Sequence, residues 1–173
     1  MMMKLTREEM LAEWRRRHGM TPVSTSSLQL SRSDADSVDH MLLMQINDWY
    51  SRTLATADPL LLPQRDLKEG VELAQCDDGS VEMMLPGECA QLLQVQLRGW
   101  QRPATIVADG SLAARMQMSR YVCGKRAAPV AVRCGRCLRL YSIAGSCELQ
   151  RLWCVAPPPD GSYEFDGTLL PKL

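Results

Sequence analysis

Aromatic side chains are scarce in this chain of 173 residues: they make up 5% of it, and Phe165 is the single phenylalanine. A core built throughout from stacked rings is therefore not expected, and the eleven methionines predict that flexible thioethers fill the gaps. No charge of either sign is in excess. Lys plus Arg and Asp plus Glu number 20 each, so no global field draws the protein to nucleic acid or an anionic membrane. Apolar runs are short, as at Leu60 to Leu62, far below the roughly 20 residues that span a bilayer. The start, MMMKLTREEMLAEW, is interrupted by Glu8, Glu9 and Glu13 before a signal sequence can form, which predicts a cytoplasmic chain. The seven cysteines are an odd number without an export signal, and read as reduced thiols packed like small apolar groups.

Chemistry-bearing patterns are equally thin. There are two histidines, His18 at a helix end and His40 inside a helix, neither in a catalytic arrangement. Both GxxxxGK[ST] and GxGxxG are absent, which argues against nucleotide chemistry. Asp77-Asp78 reads as turn residues, and Asp34, Asp36 and Asp39 as helix N-terminal charge, rather than as metal-binding carboxylates. Arginines 98, 102, 115, 120, 126, 133, 136, 139 and 151 make the second half basic, but no aromatic series interleaves them to stack bases, and solvated strand faces explain them.

What is present is patterning. The 46% hydrophobic and 23% charged composition is that of an ordinary folded domain. Thr6 and Glu9 form a capping box that opens a helix from Arg7 to Arg17, with Met10, Leu11 and Trp14 on one face and Gly19 as the stop. Residues 20–33, rich in Ser, Thr and Pro, read as an extended linker. Val38, Met41, Leu42, Leu43, Ile46 and Trp49 recur at helical spacing and predict a helix over 34–56, ending before Asp58-Pro59. CDDG between Gly70–Ala74 and Ser80–Leu85 signals a hairpin. Strands are expected at Ala90–Leu97, Val130–Arg133, Leu138–Ser142 and Glu148–Val155, with a short helix at Ser111–Met118. The expected fold class is α+β: N-terminal helices, then a mostly antiparallel β-rich body over 70–156 and a short C-terminal tail. The expected division is an arm and linker, 1–33, followed by a single domain, 34–173.

The sharpest chemical candidate is Cys134-Gly-Arg-Cys137. Two thiolates at this spacing on a turn can share a tetrahedral zinc ion, but they supply half of its ligands. No second CxxC or HxxxH completes the set, and alternation on both sides of the turn favours an ordinary hairpin. A zinc- or thiol-containing cytoplasmic binding module built on Cys134 and Cys137 is the alternative function to weigh. An enzyme with an unfamiliar site requires a concave pocket with converging ionisable groups.

From Leu85 onward the chain carries an ordered series of short words: LPGECAQLLQVQLRGWQRP (85–103), ATIVADGS (104–111), MQMSRYVCGKRAAPVAV (116–132) and LRLYS (138–142). Trp100, Arg102, Pro103, Tyr121 and Tyr141 stand at its marked positions. The series covers about a third of the chain. It resembles virion proteins of tailed phages and prophages of Bacteroidales, crAss-like phages included, in the head-to-tail connector or ring-protein class. Cys134 and Cys137 lie outside the resemblance. It implies a structural, non-enzymatic virion component without a cofactor, which contacts copies of itself in a ring and neighbours such as a portal or tail adaptor. Neither a membrane nor sequence-specific nucleic acid is an expected partner. On that reading the Arg7–Arg17 helix would be a docking arm, placing Met10, Leu11 and Trp14 on an adjacent subunit, while Trp100 anchors the core or a turn.

Overall fold

The computed structural model describes residues 1–20, 32–119, 121–143 and 147–171, and in the second helix the side chains from Val38 onward. In chain order the elements are β1 (Met2–Leu5), α1 (Arg7–Arg17), α2 (Arg32–Thr56), a 3-10 turn (Pro59–Leu61), β2 (Gln64–Asp66), β3 (Leu73–Gln75), β4 (Val81–Met84), β5 (Gln91–Leu97), β6 (Thr105–Ala108), α3 (Leu112–Met116), β7 (Val130–Cys134), β8 (Cys137–Leu140), β9 (Leu149–Val155), β10 (Tyr163–Asp166) and a 3-10 turn (Gly167–Leu169). This is an α+β fold with a β-rich body. It forms two compact units: Met1–Pro63 with Val155–Leu173, and Gln64–Cys154. The expected division at residue 33 is thus corrected, because α1 belongs to the same unit as α2 and β10. Most of the expected linker, residues 21–31, lies outside the described residues.

In the first unit, the Thr6 side chain accepts from the Glu9 N–H and Glu9 returns the bond to the Thr6 N–H, the reciprocal capping box. Met10 and Trp14 are buried and Leu11 is half-buried. Trp14 stacks on His18 at 4.9 Å and meets Trp49 of α2 at 5.5 Å. Trp49 stands edge-on to Phe165 at 5.3 Å, and Tyr50 edge-on to Tyr163 at 5.2 Å. Five of the nine aromatic residues of the chain are therefore in one cluster, each such pair adding about 0.5–1.5 kcal/mol beyond its buried area. An Arg15–Asp39 ion pair also joins α1 to α2. The docking-arm expectation is corrected on this evidence: two of its three anchor side chains are core.

The C-terminal tail is corrected as well. β10 pairs antiparallel with β1, Met3 opposite Phe165 and Lys4 opposite Glu164. The Tyr50 hydroxyl donates to the Glu164 carbonyl and accepts from the Glu164 N–H, both at 3.1 Å. The Tyr163 hydroxyl donates to Asn47 Oδ1 at 2.6 Å. Burial pushes the Tyr50 hydroxyl up to about 12.

The second unit holds two sheets, ordered β2-β9-β5 and β3-β4-β8-β7-β6. β3 with β4, β4 with β8 and β8 with β7 are antiparallel, whereas β6 and β7 run parallel, Thr105 opposite Val130. A parallel pair needs a crossover rather than a tight turn, and α3 lies in that connection. At the CDDG turn, Gly79 has φ +79° and Asp78 accepts from the Ser80 N–H at 2.9 Å. Period-two alternation buries Val81, Met83, Leu138 and Leu140, and places Glu82 opposite Arg139 as an ion pair on the other face.

The methionine expectation fails in an informative way. Met10 and Met83 are buried, but eight of the eleven methionines are exposed, since Phe165, Trp49 and the aliphatic strands already fill the two cores.

Two outcomes follow for the first unit. The indole N–H of Trp14 is buried without a hydrogen-bond partner. Urea denaturation should therefore show Trp14→Ala losing about 3–5 kcal/mol, and Trp14→Phe, which removes the orphan donor, losing under about 1.5 kcal/mol. Glu13 accepts from Arg16 and Arg17, which hold its carboxyl near 2 against an ordinary 4.5. Its contribution is complete above the unfolded value and lost as pH falls from about 4.5 to about 2. Glu13→Gln should flatten that part of the stability–pH curve, read from urea midpoints across the window.

Candidate functional site

The words of the resemblance converge on one node within the second unit. β5 ends at Leu97, and Gly99 at φ +90° turns the chain so that the Trp100 N–H reaches the Leu97 carbonyl at 3.2 Å. This φ lies in the region that glycine alone enters at no steric cost. Trp100 is buried, and its indole N–H donates to the Ser142 carbonyl at 3.1 Å. Ser142 itself has φ +64°, the single positive value outside glycine among the described residues. That conformation costs a serine free energy. It is held from two sides, by Trp100 on its carbonyl and by its own hydroxyl donating to the Gly124 carbonyl.

Gly124 closes the node. Its N–H donates to Gln117 Oε1 at 2.8 Å, while Gln117, itself buried, donates from Nε2 to the Ala113 carbonyl of α3 at 3.0 Å. A Cβ at position 124 would stand 2.8 Å from the Ala128 carbonyl oxygen and 3.0 Å from Val130 Cγ2. The requirement for glycine is one of space. Around the node, Ala104 N–H bonds Val95 at 2.9 Å, Gln101 N–H bonds Arg126 at 3.1 Å and Thr105 N–H bonds Pro129 at 2.9 Å. Four separate stretches of the motif are thereby cross-tied.

What the node presents is an apolar surface. Between Ser111, which caps α3, and Gly124, the side chains of Leu112, Met116, Met118, Tyr121 and Val122 are exposed, Tyr121 by 91% and Met118 by 84%. Exposed Arg115, Lys125 and Arg126 accompany them. Large apolar side chains exposed in such number are uncommon on a protein surface, and methionine adapts its shape to whatever it meets.

Of the residues singled out from sequence, Trp100 is the core anchor it was expected to be. Arg102 is exposed and Pro103 half-buried at the same corner, Tyr141 is half-buried, and Tyr121 is at the surface rather than in the packing. Met10, Leu11 and Trp14 belong to the first unit. The parts that sequence reasoning left unassigned are Ser142, Gln117 and the Leu112–Val122 surface. A readable signal for the surface did exist: MQMSRYV places large apolar groups between Ser111 and Gly124 without helical or strand periodicity.

Cys134 and Cys137 stand opposite each other across the Gly135-Arg136 turn, Gly135 at φ +60°. Arg136 is drawn to the carbonyls of Leu85 and Pro86. Burial, and then the Glu82 carboxylate, push the Cys137 thiol up, away from the thiolate a metal or a substrate would need. A shallow cleft of 270 Å³ is lined by these two cysteines with Glu82, Asp109, Arg139 and Tyr141, but Glu82 and Arg139 neutralise each other there. Among the described residues, no group of three His, Cys, Asp or Glu side chains is placed to hold a metal ion, and no helix is long and apolar enough to cross a membrane.

Comparison with family models and with curated proteins finds no match to this chain.

The node should be sensitive where it is tightest. Gly124→Ala, which must move the Ala128 carbonyl, is expected to cost about 1–3 kcal/mol. Thermal unfolding followed by circular dichroism should show this loss, whereas Gly87→Ala, whose added Cβ meets nothing within 4 Å, should leave the midpoint nearly unchanged.

Proposed function

We propose that the chain is a structural, non-enzymatic virion protein of the phage head-to-tail connector or ring class. The observation that carries this reading is the ordered series over 85–142, which resembles that class. Its support in the fold is that Trp100, Gln117, Gly124 and Ser142, drawn from three of the series' words, are bonded into one node. A ring subunit meets its neighbours through two different surfaces that close by rotation. The exposed apolar side chains of Leu112, Met116, Met118, Tyr121 and Val122 are suited to form one of them, with an adjacent copy of the chain as the partner, and portal or tail-adaptor proteins as further neighbours in the virion. The docking role passes from the N-terminal helix to these side chains, because Met10 and Trp14 are committed to their own core.

Native mass spectrometry of the purified chain, with and without a chelator, tests the reading: a closed, metal-free ring is expected. A monomer with one stoichiometric, chelator-removable zinc would overturn it in favour of the module built on Cys134 and Cys137. Met118→Asp with Tyr121→Asp should abolish the ring while leaving the unfolding free energy of the monomer within about 0.5 kcal/mol, as surface changes do.

A further inference from the structure

Two cysteines are buried in the second unit. Cys89, in the turn where its N–H bonds the Pro86 carbonyl at 3.0 Å, is 5% exposed, and Cys154, in β9, is fully buried. Their sulfurs are 2.9 Å apart, against about 2.05 Å in a disulfide. β5, which begins just after Cys89, is the hydrogen-bonded neighbour of β9, so the sheet itself sets this approach. We propose that Cys89 and Cys154 are a redox site that closes to a disulfide when the protein meets a small oxidant of the peroxide class.

The local chemistry assigns the two sulfurs different roles. The hydrogen bond shared with Cys154, with Arg133 and Arg136 adding positive potential, holds the Cys89 thiol below its ordinary value. The Cys154 thiol, bonded and desolvated, is raised. The Cys89 thiolate attacks one oxygen of hydrogen peroxide, the O–O bond breaks, and hydroxide leaves to take up the proton that Cys89 released. The Cys154 sulfur then attacks the sulfur of the Cys89 sulfenic acid. The S–S bond forms, the S–O bond breaks, and the hydroxyl departs as water with the Cys154 proton. Two thiols lose two electrons and one peroxide is reduced to two waters. Cys89 keeps a slight exposure, enough for a molecule as small as peroxide and too little for a bulky disulfide.

The bridge would span 65 positions, a stretch that contains β5 through β8 and the whole Trp100–Ser142 node. The consequence is a covalent clasp on the motif, formed where the surroundings are oxidising.

The test uses the full chain, reduced, desalted, exposed to hydrogen peroxide, quenched with iodoacetamide and digested without reduction. A Cys89–Cys154 cross-linked peptide is expected, with an intact mass lower by about 2 mass units. The unfolding midpoint should rise by about 5–10 °C and fall back with dithiothreitol. Cys89 and Cys154 recovered as separate peptides while the exposed Cys134 is oxidised would overturn the proposal, as would a linkage that lowers the midpoint. The mapping is done on the unaltered chain, so it stands whether or not Cys89→Ser folds.

Discussion

The first unit exists only if residue 3 finds residue 165. Phe165, fully buried, sits on a strand whose partner is at the other end of the sequence, and it receives the edge of Trp49 from α2. The 91 residues of the second unit, Gln64–Cys154, lie between these segments in the chain. Loop-closure entropy grows only slowly with length, so such an insertion is affordable, but it has to be repaid by strong contacts. That is where the scarce aromatics are concentrated. Five rings, stacked and edge-on, supply burial that the same number of aliphatic side chains would not match.

This concentration also explains which features were legible in the sequence. Local chemistry was readable: the Thr6–Glu9 capping box, the hairpins at CDDG and CGRC, and the α2 periodicity each depend on residues within a turn or two of one another. β1 and β10 were not. MMKL and YEFD are too short to show alternation, and their pairing across nearly the whole chain leaves no local trace. β6 was hidden for a related reason, since TIVA has the composition of a strand but its partner β7 is reached in parallel through a crossover. Trp14 was misassigned because helical spacing identifies an apolar face without saying whether that face is met by the same chain or by another.

The candidate site was half legible. Trp100 and Gly99 declare themselves as a turn anchored by a ring, but the strain at Ser142 has no signature, because serine is not a residue that announces a left-handed backbone. Placing it there requires Trp100 on its carbonyl and Gly124 on its hydroxyl at once. The node is thus over-determined, and Leu112, Met118 and Tyr121 near it are left exposed.

The hydrogen bonds of Tyr50 bear on how such a protein avoids the wrong contacts. The β1–β10 ribbon has two strands, and a ribbon this narrow offers a free edge to any extended segment. By occupying both backbone groups of Glu164 with one side-chain hydroxyl, α2 removes the donor and the acceptor that an incoming strand would need. An extended segment of another chain then finds neither a free donor nor a free acceptor at Glu164, and strand addition is blocked at that point of the edge.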